Sequence, residues 1–178
     1  LGLPLIIKPV HEGSSIGMAC ATTAEQLEQA WRAASRYDTE VLAEQLLSGA
    51  EYTVAVVGRQ VLPTIQIEVA GEFYDYSAKY LSDQTRYHCP APVSAALEQQ
   101  FRQLALAAFD AVGCSGWGRV DLMCDSDGTP QLLEVNTVPG MTDHSLVPMA
   151  AAAVGMNFAE LVVAILATTL TADSEVPA

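Results

Sequence analysis

Basic residues are scarce in this sequence. Eight Lys and Arg residues face 21 Asp and Glu residues, so the formal net charge at pH 7 is -13 and the pI is near 4.3. So acidic a surface matches neither the phosphates of DNA or RNA nor an anionic membrane, and we expect no nucleic-acid or membrane partner. A nucleotide ligand stays compatible, because a small phosphate site needs only a few cations and backbone N–H groups.

Paired cysteines and paired histidines are also lacking. None of the four cysteines forms a Cys-x-x-Cys pair, and none of the three histidines has the spacing of a zinc site. With 51% hydrophobic residues the chain can build a sizeable core, which excludes a disordered or low-complexity protein. We therefore expect four buried reduced thiols rather than a disulfide framework. The cysteines are Cys20, Cys89, Cys114 and Cys124.

The sequence lacks a targeting signal and an uninterrupted hydrophobic run. Leu1–Pro9 has neither the basic start nor the cleavage site of a signal peptide. Polar or helix-breaking residues interrupt the apolar stretch Leu146–Leu170, which has no basic flank, so we do not expect a membrane span. These absences predict a cytoplasmic protein. Because there is no initiator Met and an apolar run comes at once, we expect the chain to begin inside a domain.

Strand and helix patterns alternate irregularly along the chain. Short β-rich or apolar runs predict strands at Leu5–Pro9, Ile16–Ala21, Glu40–Leu46, Tyr52–Val57, Gln60–Val69, Trp117–Cys124 and Gln131–Val135. Helical spacing predicts three helices. One begins with a capping box at Thr23, one runs from a cap at Ser94 to Gly113, and one covers Asn157–Leu170.

Two segments have no regular period. Ala70–Pro92 is predicted to be a long ordered loop, and Thr171–Ala178 a frayed tail. Because strands and helices mix without strict βαβ alternation, we predict an α+β fold with a largely antiparallel sheet.

The predicted hairpin Trp117–Val135 holds the most informative side chains. A turn at Asp127–Gly128 pairs Cys124 with Gln131. In that register Asp121 lies opposite Glu134, and the two carboxylates repel each other.

The same register places Arg119 opposite Asn136. A divalent cation would remove the repulsion between the carboxylates, and oxygen ligands from Asp, Glu and Asn suit Mg²⁺. The alternative is a solvated sheet face on which Arg119 pairs with a neighbouring acid.

Three further stretches are candidate sites. Lys8 precedes a loop of small residues that could surround phosphate oxygens, or that could be a surface turn. The stretch Glu44–Glu51 could present backbone groups to an adenine and a carboxylate to a ribose, or could be a plain connection. Tyr74–Tyr80, with three tyrosines and a lysine, could form a lid over a site or be a surface loop.

Taken in order, these stretches resemble the D-alanine–D-alanine ligase family of the ATP-grasp superfamily. The resemblance rests on IIKPVHEGSSIGM, LAEQLLSGAEYTVAV, YDYSAKYLSD, GWGRVDLM and LLEVNTVPGMTDHSLVP, from Leu5 to about Leu170. It implies a partial central lobe over residues 1–46, a C-terminal lobe over residues 47–171 and a tail over residues 172–178. GRVDLM followed by LLEVNTVPGMT is the most specific part.

The resemblance implies roles for matching positions. ATP phosphates would contact Lys8, Ser14, Ser15 and Lys79; adenine would contact Glu44, Gln45 and Leu47; and the ribose would contact Glu51. The resemblance also implies that Ser14, Lys79 and Tyr80 take part in catalysis. Two Mg²⁺ ions, for which Mn²⁺ could substitute, would bind Asp121, Glu134 and Asn136. Arg119 and Gly140 would stabilise the tetrahedral intermediate. Tyr80, Ser145 and Leu146 would bind the second D-alanine. Gln45 departs from the family, which often has Lys there.

The implied activity is ATP-dependent joining of two D-alanines through a D-alanyl phosphate, for peptidoglycan precursors. The family's N-terminal part, which supplies a glutamate for the first D-alanine and a second phosphate-binding lysine, is absent here. We therefore expect this chain to be inactive alone, and the full enzyme to be a homodimer. The alternatives are a D-alanine–D-lactate ligase, against which the Lys79-Tyr80 pair argues, and a catalytically silent ATP-binding fragment.

Overall fold

A three-stranded antiparallel sheet opens the chain. A computed structural model describes residues 1–68 and 85–172, the last two by backbone alone. Strand β1 (Leu5–Pro9) lies between β2 (Ala19–Ala21) and β3 (Val41–Gln45) and pairs antiparallel with both. Helix α1 (Ala24–Ala34) packs on one face of this sheet and leaves the other face open for polar side chains.

The cap of α1 differs in one bond from the predicted capping box. Thr23 accepts a hydrogen bond from the backbone N–H of Gln26 at 3.2 Å, as predicted. The Gln26 side chain, however, accepts from the N–H of Thr22 at 2.8 Å and not from that of Thr23. The reciprocal bond therefore reaches one residue further out than a capping box requires.

A six-stranded antiparallel sheet forms the second part of the chain. Its strands are β4 (Glu51–Val57), β5 (Gln60–Val61), β6 (Ile65–Glu68), β7 (Arg86–His88), β8 (Trp117–Cys124) and β9 (Pro130–Asn136). Their order is β7-β6-β4-β8-β9, with β5 paired to β4 beyond the end of β6. Consecutive hairpins and antiparallel pairs confirm the predicted α+β class with antiparallel sheets.

One face of this sheet carries the main core. Tyr52 and Val54 of β4 and Val120 of β8 point to the same side, where helix α2 (Ala95–Ala111) covers them. The rings of Tyr52 and Phe101 have centroids 4.4 Å apart. Because side chains alternate along a strand, the intervening residues of β4 and β8 lie on the opposite face, which carries the polar groups.

Two predicted segments differ from the structure. The strand predicted over Gln60–Val69 is broken between β5 and β6, where Pro63 has no N–H to donate to a ladder. The predicted loop Ala70–Pro92 contains strand β7, which pairs with β6. Most of the remainder of that loop, residues 70–84, lies outside the described residues.

Two helices follow β9. Helix α3 (Leu146–Ala153), which the sequence did not predict, is largely buried and packs against β4. Helix α4 (Phe158–Ala172) begins after Asn157, whose side chain accepts from the N–H of Glu160 at 3.0 Å. Glu160 accepts in return from the N–H of Asn157 at 2.8 Å, so this helix has the reciprocal cap that α1 lacks.

The apolar stretch around these helices was weighed above as a membrane span. Within the described residues no single helix is long and apolar enough to cross a bilayer. Helix α3 and Phe158–Leu170 pass a test of length and composition only as a pair, bent by 106°.

The described residues divide into two compact units, residues 1–47 with residue 85 in one and residues 48–68 with 86–172 in the other. The predicted lobes, with a boundary at residue 46, stay a prediction. The four cysteines are free, but only Cys124 is buried and the other three are partly exposed, which corrects the expectation of four buried thiols. Burial raises the pKa of the Cys124 thiol above its usual range, as does the neighbouring charge of Asp125.

Candidate functional site

Lys8 and Glu44 lie together on the open face of the first sheet. Lys8 pairs in register with Leu42, so Glu44 is its diagonal neighbour on β3. The Lys8 Nζ to Glu44 Oε2 distance is 2.6 Å, and both side chains are about a third exposed. A residue predicted to contact phosphate and one predicted to contact adenine are thus adjacent in the first unit.

The serine loop, residues 11–18, follows β1 and has an unusual backbone. Ser14 and Ser15 have φ values of 53° and 60°, in the left-handed region that residues with a Cβ rarely adopt. The turn closes through the N–H of Ile16 on the carbonyl of Gly13 at 3.1 Å. N–H groups in such tight turns form concavities that accept anions, so the loop's conformation suits phosphate oxygens.

Gly17 closes the serine loop against the rest of the first unit. Its φ is 70°, and a Cβ there would lie 2.7 Å from a Tyr37 ring carbon and 2.9 Å from Pro9 Cγ. A side chain is therefore excluded at this position on two independent grounds, backbone conformation and space.

Asp38 anchors the start of the serine loop. One carboxylate oxygen, Oδ2, accepts from the His11 N–H at 2.7 Å and lies 2.8 Å from His11 Nδ1. The other oxygen accepts from the N–H of Glu40 at 3.1 Å. These backbone bonds, first that of Glu40 and then that of His11, hold the pKa of Asp38 well below its usual range. Neither residue was predicted from the sequence to have a role in the site.

The remaining predicted nucleotide contacts lie between the two sheets in sequence. Gln45 ends β3 and is exposed, Leu47 follows it, and Glu51 begins β4 in the second unit. Leu46 donates its N–H to the Pro4 carbonyl at 3.2 Å, which holds this end of the first sheet. Lys79 and Tyr80 lie outside the described residues.

The β8–β9 hairpin brings the predicted metal ligands together. Asp121 lies opposite Glu134 and Arg119 opposite Asn136, as predicted.

The turn end of the same hairpin does not follow the prediction. Cys124 lies opposite Pro130 and not opposite Gln131. The register shifts by one residue after Asp121, because Leu133 is an extra residue on β9. The bulge therefore offsets the one-residue error at the turn, and the polar residues pair as predicted although the turn does not.

Asp121 is 6% exposed, and its carboxylate accepts hydrogen bonds from two strands. Arg119 donates from Nε to Oδ1 at 2.7 Å and from Nη2 to Oδ2 at 2.6 Å. The Thr53 hydroxyl, directly opposite on β4, donates to Oδ1 at 2.6 Å. The Arg119–Asp121 pair is the alternative that the sequence left open, so the repulsion between Asp121 and Glu134 is already offset in part without a cation.

The oxygen donors nevertheless fit a hard divalent cation. Two carboxylates and the amide of Asn136 occupy facing positions, and Glu134 is exposed and free to reach a ligand from solvent. Asn136 Oδ1 accepts from the Val138 N–H at 3.3 Å. Within the described ranges no group of three or more His, Cys, Asp or Glu side chains forms a ligand set, so water and substrate oxygens would have to complete the shell.

Gly140 and Ser145 also come together. A Cβ on Gly140 would lie 3.0 Å from Ser145 Oγ. Ser145 stands at the N-cap of α3, yet its hydroxyl makes no capping bond and instead accepts from the Thr142 N–H at 2.9 Å. Leu146, the next residue, is buried. The three predicted substrate contacts thus form one short segment between β9 and α3.

A profile of the family described as D-ala D-ala ligase C-terminus matches residues 1–167. The chain belongs to this family. It is 62% identical over 161 residues to a D-alanine–D-alanine ligase of Alkalilimnicola ehrlichii, covering 90% of this chain and 52% of that protein. It is 57% identical to D-alanine–D-alanine ligase B of Pseudomonas syringae pv. tomato, covering 97% of this chain and 54% of that protein. The chain spans about half the length of these relatives.

Solved structures support the same family. The D-alanine–D-alanine ligase of Bacillus anthracis superposes with a TM-score of 0.85 at 36% identity, covering 98% of this chain and 57% of that one. The complex of a Bacillus anthracis D-alanine–D-alanine ligase with ATP superposes with a TM-score of 0.83 at 32% identity, covering 98% of this chain and 55% of that one. The VanG D-Ala:D-Ser ligase of Enterococcus faecalis gives 0.84 at 34% identity, covering 94% and 50%. The predicted ATP-grasp fold of the ligase family is confirmed.

Two residues that contact predicted site segments, Thr53 in the second unit and Asp38 in the first, were not predicted from the sequence. Thr53 alternates with Glu51 along β4, and this period-2 spacing was the signal that could have placed both on the polar face. Asp38 gave no comparable signal, because its bond to His11 spans 27 residues between loops.

Proposed function

We propose that this chain works within a longer ATP-dependent ligase that joins two D-alanines through a D-alanyl phosphate to supply a peptidoglycan precursor. The observation that carries the proposal is the pairing of Asp121 with Glu134 and of Arg119 with Asn136 on facing strands. Two anions, an amide and a cation within one patch suit a reaction in which phosphate charge and then an oxyanion must be neutralised. Membership of the ligase family supports the substrates.

In this proposal residues between Lys8 and Glu51 provide most of the nucleotide contacts. The Lys8 ammonium and the backbone and hydroxyl groups of Ser14 and Ser15 bind phosphate oxygens. Glu44, Gln45 and Leu47 contact adenine, and Glu51 holds the ribose hydroxyls. ATP is supported by the complex of the Bacillus anthracis relative. Lys79 is proposed to contact the transferred phosphate.

The second unit is proposed to hold the reacting groups. Asp121, Glu134 and Asn136 would bind two Mg²⁺ ions, with Mn²⁺ as a substitute, which would neutralise phosphate charge. The Arg119 guanidinium and the Gly140 N–H stabilise the oxyanion that forms when the amine of the second D-alanine attacks the acylphosphate carbon. When this intermediate collapses, the C–O bond to phosphate breaks, phosphate leaves and the amine nitrogen loses a proton. Ser145 and Leu146, with Tyr80, bind that second D-alanine. Most of the reactivity is in the acylphosphate, so these residues mainly position it.

The test compares Glu134→Gln with its parent in the longer ligase. We expect D-alanine-dependent phosphate release to fall at least 100-fold with the fold retained, because an exposed ligand is removed without disturbing the Arg119–Asp121 pair. Glu28→Gln, the same change on exposed α1, is the control and should keep parental turnover. Near-parental turnover of Glu134→Gln would contradict the assignment.

Product analysis distinguishes the proposed D-alanine–D-alanine ligase from ligases that use D-lactate or D-serine as the second substrate. With D-alanine as the first substrate, D-alanine, D-lactate and D-serine are offered as the second, and only the dipeptide of two D-alanines should accumulate. The 178-residue chain alone should form none, because holding two substrates in attack geometry contributes up to about 7–11 kcal/mol that one half of the site cannot supply. We also propose a cytoplasmic location and a homodimeric longer enzyme, which sedimentation of that enzyme would test.

A further inference from the structure

Thr53 is the buried polar residue closest to the proposed metal ligands. It lies in the middle of β4, directly opposite Asp121, and is 1% exposed. Its hydroxyl lies 2.6 Å from Asp121 Oδ1 and 3.4 Å from the Val120 carbonyl. A hydroxyl has one proton, so the short contact takes it and the carboxylate is the acceptor.

The bonds to Asp121 are divided unequally between its two oxygens. Oδ1 accepts from Thr53 and from Arg119 Nε, whereas Oδ2 accepts from Arg119 Nη2. An ionised carboxylate oxygen has two lone pairs. Thr53 and Arg119 together thus fill those of Oδ1, and Oδ2 is the oxygen better able to add a cation.

The hydroxyl of Thr53 has no comparable purpose in packing. On the side of β4 away from Asp121, Thr53 pairs with Ile65, an aliphatic neighbour. Packing alone would therefore be served as well by valine at position 53, which has nearly the same volume as threonine. Leaving a hydroxyl in such a buried position is unfavourable unless it is hydrogen-bonded. Asp121 is the partner that makes it favourable.

We propose that Thr53 is a positioning residue for the carboxylate of Asp121: its hydroxyl would hold Oδ1 in place and leave Oδ2 available to a divalent cation, also when the Arg119 guanidinium turns to the reacting oxyanion. This role rests on the proposed function. Hydrogen bonds to a ligating carboxylate commonly change metal affinity 10–100-fold when removed. A residue that orients a ligand in this way affects the ion first and D-alanine binding little.

The test measures Mn²⁺ binding to the 178-residue chain from the loss of the free-ion electron paramagnetic resonance signal. Thr53→Val keeps the volume and removes the hydroxyl, and we expect affinity to fall about 10-fold or more. Thr53→Ser keeps the hydroxyl and should recover affinity to within about threefold. Thr53→Ala is the second hydroxyl-free variant, for use if the valine variant does not fold.

Thr64→Val is the matched control. Thr64 is also fully buried in the second unit, but its hydroxyl makes no hydrogen bond to any residue that the structure describes. Its replacement should leave Mn²⁺ affinity unchanged. Equal affinity in the parent, Thr53→Val and Thr64→Val, together with loss in Glu134→Gln, would overturn the role of Thr53 and leave the proposed function standing. Absence of Mn²⁺ binding by the parent would instead overturn the proposed metal site and the role of Thr53 with it.

Discussion

The Arg119 guanidinium and the Asp121 carboxylate, two residues apart on β8, form a two-bond ion pair with distances of 2.7 and 2.6 Å. Both groups have a part in the proposed reaction, one toward the oxyanion and one toward Mg²⁺. While the two groups are paired, the guanidinium donates to the carboxylate, so neither group is fully available to a substrate or an ion. If a cation binds Asp121 as proposed, it would weaken the bond between Asp121 and Arg119, and occupancy of the proposed metal site would then release the guanidinium.

Arg119→Ala should lower stability and increase its response to Mg²⁺. The side chains of Arg119 and Asp121 are only 12% and 9% exposed. Removing one partner of such a buried pair lowers the free energy of unfolding by about 3 kcal/mol. Mg²⁺ should restore part of this loss, since no guanidinium competes for Asp121. Thermal denaturation with and without Mg²⁺ measures both effects. Arg59→Ala, which breaks the exposed pair with Asp110, is the control; it should change stability little and give no added response to Mg²⁺. The same Mg²⁺ response in both variants would contradict the expectation.

Ser15→Gly should stabilise the first unit and weaken nucleotide binding. Its φ of 60° costs a residue with a Cβ about 1 kcal/mol, which glycine does not pay. The lost hydroxyl removes a proposed phosphate contact, so ATP affinity should fall severalfold. Chemical denaturation and ATP titration measure the two changes. Ser126→Gly, in an exposed turn without a positive φ, is the control and should not stabilise. Unchanged ATP affinity in Ser15→Gly would argue against the phosphate role.

Asp38→Asn should lower stability above about pH 5 and matter progressively less in acid. The pKa of Asp38 is depressed in the folded chain, so its contribution is present above the unfolded pKa near 3.9 and is lost as the pH falls through the folded value. Chemical denaturation between about pH 2 and 7 should show the two curves converging at the acid end. Glu12→Gln, a neighbouring exposed carboxylate, should run parallel to the parent. A constant gap between Asp38→Asn and its parent down to the lowest pH would contradict this.

Gly118→Ala should destabilise the second unit by about 1–3 kcal/mol. A Cβ at Gly118 would lie 2.9 Å from Phe109 Cε2 and 3.0 Å from the Asn136 carbonyl oxygen. Helix α2 and strand β9 would both have to move, and β9 carries Glu134. The free energy of unfolding from urea titration measures the cost. Gly13→Ala, where a Cβ meets nothing within 4 Å, should change stability by less than about 0.5 kcal/mol. An equal loss of unfolding free energy in the two variants would show that the close contacts at Gly118 do not affect stability.

Local pattern in the sequence was sufficient for several elements. The bounds of β1 and β8 agree with the prediction, and Thr23 and Ser94 cap the helices that follow them. Asp121 was also placed opposite Glu134, but the turn register behind that prediction is off by one residue, and the bulge at Leu133 compensates for the difference. These features depend on contacts between residues close in the chain or on one strand period, which a sequence pattern expresses directly.

Motif resemblance was sufficient for the family, and the fold class followed from it and from the irregular order of elements. Helix α3 was missed because Pro148 lies within it and its residues are apolar on nearly all sides, so no helical period stands out. The residue types at the site could be read from the sequence. Their mutual bonds could not.

The tertiary structure alone decided which groups meet. Leu133 enters β9 as a bulge, Thr53 reaches Asp121 across 68 positions, Lys8 pairs with Glu44, and Asp38 anchors His11. Each of these contacts joins segments distant in sequence, and its geometry depends on strand register and on packing between neighbouring elements. A pattern along the chain records which side chains are available on a face, whereas distances of a few ångströms between faces are set only when the sheet has formed.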